Sequence, residues 1–275
     1  MFFHRGELQF ESKPDAPDAV FAKQVQELIG GQFGEMSVAM QYLFQGWSTR
    51  GNEKYRDLLM DTGTQELGHI ELLATMVARL LEGAPVYEQE KAAADPIVGA
   101  IMGGMNPQHA IVHGLGASPK DSNGVPWNAG YIIASGNLLA DFRSNVSAES
   151  QGRLQVARLY SMTDDRGVKD LFSFLLARDT MHQNQWLAAI KDLEAKEGPI
   201  VPGTLPPEWE AKEFSHILYT NSETSTASQL PWVNQTAPDG HPFTVEAPKP
   251  LAGRPVLKPG PPQSHDTLPL EEGTK

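Results

Sequence analysis

The sequence predicts an all-α protein: a four-helix bundle with a long crossover and an extended, proline-rich C-terminal arm. Three observations carry that expectation. Apolar residues recur at helical spacing in four stretches between residues 18 and 198. The 86–128 segment, between the second and third stretches, is rich in glycine, proline and polar residues. Fourteen of the 21 prolines lie from Pro199 onward, where the helical period is lost.

The first helical pattern runs from about residue 18 to 48, through Val20, Phe21, Val25, Leu28, Ile29, Met36, Met40, Leu43, Phe44 and Trp47. Gly30, Gly31 and Gly34 interrupt it, since each glycine costs about 1 kcal/mol in a helix interior. They mark either a break between shorter helices or a close backbone approach beside Glu35. Asn52 is the expected N-cap of a second helix ending near Leu81, closed by Gly83 and Pro85. The 86–128 segment reads as a crossover with short helical pieces, the connection a bundle needs where neighbouring helices run parallel. A third helix is expected over 129–161, burying Ile132, Leu138, Leu139, Phe142, Val146, Leu154, Ala157 and Leu159. Asp164 or Asp165 starts the fourth, which passes Leu171, Phe172, Leu175, Leu176 and Trp186 and stops at Gly198 and Pro199. The expected organisation is a 1–198 bundle domain and a 199–275 arm docked on other protein surface through Trp209, Phe214, Leu230, Trp232 and Phe243.

Composition narrows the function. A net charge of −12 argues against nucleic acid or an anionic membrane as partner. No cysteine is present, which excludes disulfides, thiolate ligands and iron–sulfur clusters. The N-terminal residues lack the apolar run of a secretory signal, and no stretch approaches 18 uninterrupted apolar residues. Cytoplasmic residence, with no membrane partner, is the expectation.

The chemistry concentrates in two acid-x-x-His phrases. Glu66-Leu-Gly-His69 lies in the second helical stretch and Asp179-Thr-Met-His182 in the fourth. Residues three apart on a helix lie about 60° apart, so each pair projects from one face. Glu35 and Glu149, on the first and third stretches, complete a set drawn from four helices. Carboxylates are hard donors that can bridge two cations, and imidazole suits manganese and iron alike. Carboxylates and histidines projecting into a bundle core describe a ferritin-like di-iron or di-manganese protein. Asp141, Asn145, Glu149 and Arg153, spaced by four, form a stripe that is either an exposed face or a polar core requiring metals or salt bridges. Tyr42 shares the face of Glu35, as a neighbour of the site or a buried structural tyrosine.

These residues stand in longer phrases: Leu28-Ile-Gly-Gly-Gln-Phe-Gly-Glu35, Leu58-Leu-Met-Asp-Thr-Gly-Thr-Gln-Glu-Leu-Gly-His69, Trp127-Asn-Ala-Gly-Tyr131, Ser135-Gly-Asn-Leu-Leu-Ala-Asp141, Leu154-Gln-Val-Ala-Arg-Leu-Tyr160 and Phe174-Leu-Leu-Ala-Arg-Asp-Thr-Met-His182. In them the chain resembles the manganese catalases, non-haem enzymes that disproportionate hydrogen peroxide, over nearly its full length. The resemblance implies two manganese ions per subunit, one held with the help of Glu35 and His69, the other with Glu149 and His182, and Glu66 bridging. It implies a homohexamer whose C-terminal arms embrace neighbouring subunits. Asp179 stands where many members carry a glutamate that accepts protons, and Ala148 where many carry an arginine; Arg153 is a candidate substitute for that charge. Some members also bind calcium. The matching positions are Asp57 and Asp61, spaced i, i+4 and turned away from Glu66 and His69, with oxygens from Thr220, Ser222 and Thr224. The bare-residue alternative for Asp57 and Asp61 is a pair of solvated surface acids. Two rival functions accompany the resemblance: a di-iron ferritin-like oxidase, and a structural or coat-associated relative with weak catalase activity.

Overall fold

Side-chain caps start four of the helices. Asp18, Asn52, Asn137 and Asp165 each accept a hydrogen bond from a backbone N–H in the turn that follows, supplying partners that a helix start lacks. The computed structural model describes residues 4–83, 112–220, 231–249 and 251–257. In it the helices are α1 (Ala19–Val25), α2 (Glu27–Gly30), α3 (Glu35–Ser48), α4 (Glu53–Leu80), α5 (Leu138–Tyr160) and α6 (Arg166–Glu197). Gly198, with φ of 78°, closes α6, a conformation that glycine adopts without a Cβ penalty.

The first expected helix is three. At its glycines both sequence readings hold together. A Cβ on Gly30 would stand 2.4 Å from the Lys120 carbonyl oxygen, and one on Gly34 would stand 2.8 Å from that of Ile29. The chain therefore breaks and packs tightly just before Glu35, which opens α3 rather than sitting within a helix. Gln26 secures the contact: its amide nitrogen donates to the Ser118 and Lys120 carbonyls at 2.5 and 2.8 Å.

The third helix begins at Leu138, not near 129. Residues 129–131 form a single 3-10 turn, and Ile132 lies outside any helix. Gly136 at φ 82° and the Asn137 cap set the later start. The preceding segment instead straps α3: Trp127 Nε1 donates to Ser37 Oγ at 3.0 Å, the Ile133 N–H donates to Gln41 Oε1, and the Ile133 carbonyl accepts from Gln45 Nε2. Leu154 and Ala157 face outward on this single chain, against the expectation that they are buried, and Val20, Phe44 and Trp47 of the first helical pattern are exposed as well. Most of the 86–128 crossover, and Pro85, lie outside the described residues.

α3 packs along α4 and α5 along α6, two helical hairpins joined by the long crossover. Two apolar clusters fill the bundle. One gathers Phe21, Val25, Leu28, Leu72, Met76, Val168 and Phe172. The other gathers Val38, Tyr42, Tyr55, Leu59, Phe142, Trp186 and Ile190. Along α4 the second cluster ends at Leu59 and the first resumes at Leu72; along α6 the first ends at Leu175 and the second begins at Trp186. Glu66, His69, Asp179 and His182 fall in those intervals, so a polar layer crosses the waist of an apolar interior. Each fully buried large apolar side chain contributes about 1.5–3 kcal/mol, and the two clusters offset the cost of that layer.

The chain divides into two compact units, Met1–Leu205 and Pro206–Lys275. The second holds a feature the all-α expectation omitted, a two-stranded parallel sheet of β1 (Ile217–Tyr219) and β2 (Thr244–Glu246). Among the described residues, no helix is long and apolar enough to cross a membrane.

Candidate metal centre

Glu66 is the hub of the polar layer. Its Oε2 lies 2.7 Å from His69 Nδ1, and its Oε1 lies 2.7 Å from His182 Nδ1. Glu35 Oε2 stands 3.7 Å from the same nitrogen of His69, and Glu149 Oε1 stands 3.5 Å from that of His182. The two imidazole rings face one another, centroids 5.6 Å apart and 24° from parallel. All five side chains are buried. The four helices thus bring together the five residues singled out in the sequence, as two groups, Glu35–Glu66–His69 and Glu66–Glu149–His182, that share Glu66.

The short distances are not hydrogen bonds. Both Glu66 oxygens, both His69 nitrogens and His182 Nδ1 lack a partner of acceptable geometry, because the ring N–H directions miss the carboxylate oxygens. Buried polar atoms without partners cost about 1–3 kcal/mol each. Here their lone pairs converge beside one another, the arrangement of donors awaiting cations. Oxygen and imidazole donors in this proportion fit manganese or iron.

Electrostatics lead to the same fit. Burial, and then Glu66, raise the Glu35 carboxyl from 4.5 to about 8. Burial and Glu66 likewise raise Glu149. Burial works against the charge on both imidazoles, but the adjoining carboxylates outweigh it: Glu149 and Glu66 lift His182 to about 10, and Glu66 and Glu35 lift His69 well above its usual range. Glu66 suffers the same burial, yet the flanking histidines hold it well below the carboxylate range. Without cations, both imidazoles and the Glu35 and Glu149 carboxyls therefore incline toward their protonated forms. Divalent ions would supply positive charge in place of those protons and displace them on binding.

Neighbouring groups orient the donors. Tyr42 Oη donates to Glu149 Oε1 at 2.6 Å. His182 Nε2 faces Gln65 Oε1 at 3.3 Å, which leaves Nδ1 to the centre. Arg178 donates to the same Gln65 oxygen at 2.5 Å. The sequence reading overlooked Gln65 and Arg178. The signal was positional, since each directly precedes the acid of an acid-x-x-His phrase. Asp179 is buried, its carboxyl raised well above the usual range by burial and then by Glu35, Glu149 and Glu66. A narrow cavity lined by Phe33, Glu35, Ala148, Glu149, Gly152 and Asp179 reaches the centre.

The α5 stripe does face the core through Asp141, Asn145 and Glu149. Salt bridges are not what satisfies it. Asp141 accepts from Ser135 and Gly136, and Asn145 exchanges hydrogen bonds with Gln41 and Gln45. Arg153 donates to the Leu176 carbonyl at 3.4 Å. Asp57 and Asp61 are exposed on α4, away from the buried face of Glu66 and His69. Thr220 belongs to the second unit, where its N–H donates to the Glu246 carbonyl at 3.0 Å; Ser222 and Thr224 lie outside the described residues.

Comparison with known proteins agrees with this arrangement. Residues 1–275 match the family described as manganese containing catalase. The chain is 66% identical to a manganese catalase of Bacillus subtilis (strain 168) over 273 residues, 99% of this chain and 100% of the relative. It is 49% identical to a manganese catalase of Lactiplantibacillus plantarum over 267 residues, 97% of this chain and 99% of that one. The crystal structure of wild-type KatB, a manganese catalase from Anabaena, matches 90% of this chain and 100% of its own, with a TM-score of 0.69 at 24% identity, and so shares the ferritin-like fold. With identity this high sustained across nearly every residue, and with the buried donors gathered about one glutamate, the chain belongs to the manganese-containing catalases.

Proposed function

We propose that this protein disproportionates hydrogen peroxide to water and dioxygen at a dimanganese centre. Glu35 and His69 would hold one ion and Glu149 and His182 the other, with Glu66 shared between the two groups. The observation that carries this reading is the pair of donor groups sharing Glu66, with their lone pairs unpartnered. Two bound manganese ions would supply a two-electron redox store and acidify bound solvent.

The chain's own residues do the rest. Tyr42 fixes the orientation of Glu149. Gln65 holds the His182 ring so that Nδ1 faces inward. The narrow cavity, with Ala148 and Gly152 in its wall, has room for about one water-sized molecule and so would exclude larger reductants. Asp179, on that wall and inclined to keep a proton, accepts and returns the protons of peroxide.

Two substitutions test these roles together. Glu66→Gln should lose both manganese, by elemental analysis, and oxygen evolution, by an oxygen electrode. Asp179→Asn should retain the metal while kcat falls by roughly 100-fold, within the range of a lost acid–base group. Full activity in Glu66→Gln removes the bridging role.

The finer assembly rests on the family resemblance. Exposed Phe44, Trp47 and Leu154 on the bundle support self-association, with the proline-rich 199–275 arm embracing neighbours in a homohexamer. Calcium would be taken by Asp57 and Asp61 with oxygens from Thr220, Ser222 and Thr224. Sedimentation of the full chain should give six subunits, and removing calcium should shift the distribution toward smaller species; a monomer in both conditions refutes the assembly. Cytoplasmic residence accords with the absence of a membrane-spanning helix among the described residues.

A further inference from the structure

The second unit carries a cluster that peroxide chemistry does not use. His216 directly precedes β1, while Asp239 and His241 flank Gly240 in the turn that leads to β2. His216 Nε2 lies 2.8 Å from Asp239 Oδ2, and His241 Nδ1 lies 3.5 Å from Asp239 Oδ1. The two imidazoles stack with centroids 4.8 Å apart, 28° from parallel. One donor atom from each of the three residues lies within 4.8 Å of the others.

The backbone holds these donors in place independently of their side chains. The His216 carbonyl accepts from Thr244 N at 2.9 Å, where β1 begins its pairing with β2. Ala237-Pro-Asp-Gly240 is closed by a hydrogen bond from Gly240 N to the Ala237 carbonyl at 2.9 Å, and Ala237 N donates to the His241 carbonyl at 2.7 Å. Gly240, at φ 90°, makes the reversal that a side chain would strain. Asp239 Oδ1 also accepts from His241 N at 3.2 Å.

We propose that His216, Asp239 and His241 bind a divalent cation of the zinc class, fastening the start of β1 to the turn before β2. Zinc takes imidazole and carboxylate donors at about 2.0–2.2 Å, so tetrahedral neighbours stand roughly 3.3–3.5 Å apart. The observed 2.8 and 3.5 Å run to different oxygens of Asp239, and with one donor atom from each residue within 4.8 Å of the others, side-chain movements on the order of 1 Å bring them to that spacing. In the metal-free arrangement a proton occupies the gap between His216 and Asp239, and the ion replaces it. Asp239 is already held as the anion, chiefly by hydrogen bonding with His216. His216 and Asp239 are half-buried and His241 is 67% exposed, which leaves a coordination position open to water. Two imidazoles to one carboxylate favour zinc over manganese, whereas the carboxylate-rich bundle centre suits the harder ion. The two sites would therefore sort the metals between them.

The test is calorimetric titration of manganese-loaded, full-length protein with zinc chloride at pH 7.5, with manganese content measured before and after. One additional zinc per chain is expected, bound at least tenfold more weakly by His241→Ala and by His216→Ala. Oxygen evolution and manganese content should be unchanged in His241→Ala. His4→Ala, which removes another exposed histidine beside an acid, should bind zinc as the parent does. No uptake, uptake equal in parent and His241→Ala, or uptake only as manganese is released overturns the proposal.

Discussion

Tyr42 links two helices through one hydroxyl. It is fully buried against Trp186, ring centroids 4.9 Å apart, and its phenol is held protonated well above the usual range by burial and then by Glu149. It therefore remains a donor to Glu149 at working pH. Spacing put Tyr42 on the face of Glu35 but could not tell a site neighbour from a structural tyrosine; in the fold it is both. Tyr42→Phe keeps the packing and deletes the 2.6 Å hydrogen bond. Its manganese affinity or kcat should fall by about tenfold, as for other groups that orient a metal ligand, with the melting temperature within a few degrees of the parent. Metal titration and oxygen-electrode kinetics on the variant would check this. Unchanged values would make the hydroxyl purely structural.

Among the elements, the α2–α3 junction shows why helical periodicity misjudges a boundary. The apolar spacing continues across Gly30, Gly31 and Gly34 because both sides of the break bury a face, α1 and α2 in the first cluster and α3 in the second. What ends α2 is a loop distant in sequence, whose Lys120 carbonyl occupies the space a Cβ on Gly30 would need. Gly30→Ala should accordingly destabilise the protein by about 1–3 kcal/mol, the usual result of overpacking, although alanine is the better helix former. Denaturant unfolding of the metal-loaded protein measures it, and a gain in stability would show that the loop yields. The late start of α5 has a similar origin. Residues 127–133 spend their hydrogen bonds on α3, a tertiary alternative that local propensity does not register. By contrast, α4 and α6 begin at Asn52 and Asp165 as expected, because capping is a contact between residues two or three apart.

For the molecule as a whole, the polar waist makes stability depend on whether cations or protons occupy it. After chelation, folded Glu35 keeps a proton from pH 4.5 to about 8 that the unfolded chain has released. Folded His182 does the same from 6.5 to about 10. Both contributions are present at low pH and lost as pH rises through those windows. Glu66 has the opposite sign, but its window lies below 4.5. The melting temperature of the chelated protein should thus fall between pH 6 and 9, by on the order of 5 °C. The metal-loaded protein should lack that decline, since its ligands are already deprotonated. A flat profile for the chelated protein would mean that the buried acids do not hold protons. From residue identity and helical period alone followed the four helical stretches, the starts of α4 and α6, the five donor types and the absence of thiolate chemistry, because each is local or compositional. The meeting of Glu35, Glu66, His69, Glu149 and His182, the pairing of Gln65 with Arg178, and the approach of His216 to Asp239 join residues far apart along the chain. Only packing decided those contacts, since side chains from separate segments meet where burial and hydrogen bonding bring their backbones together.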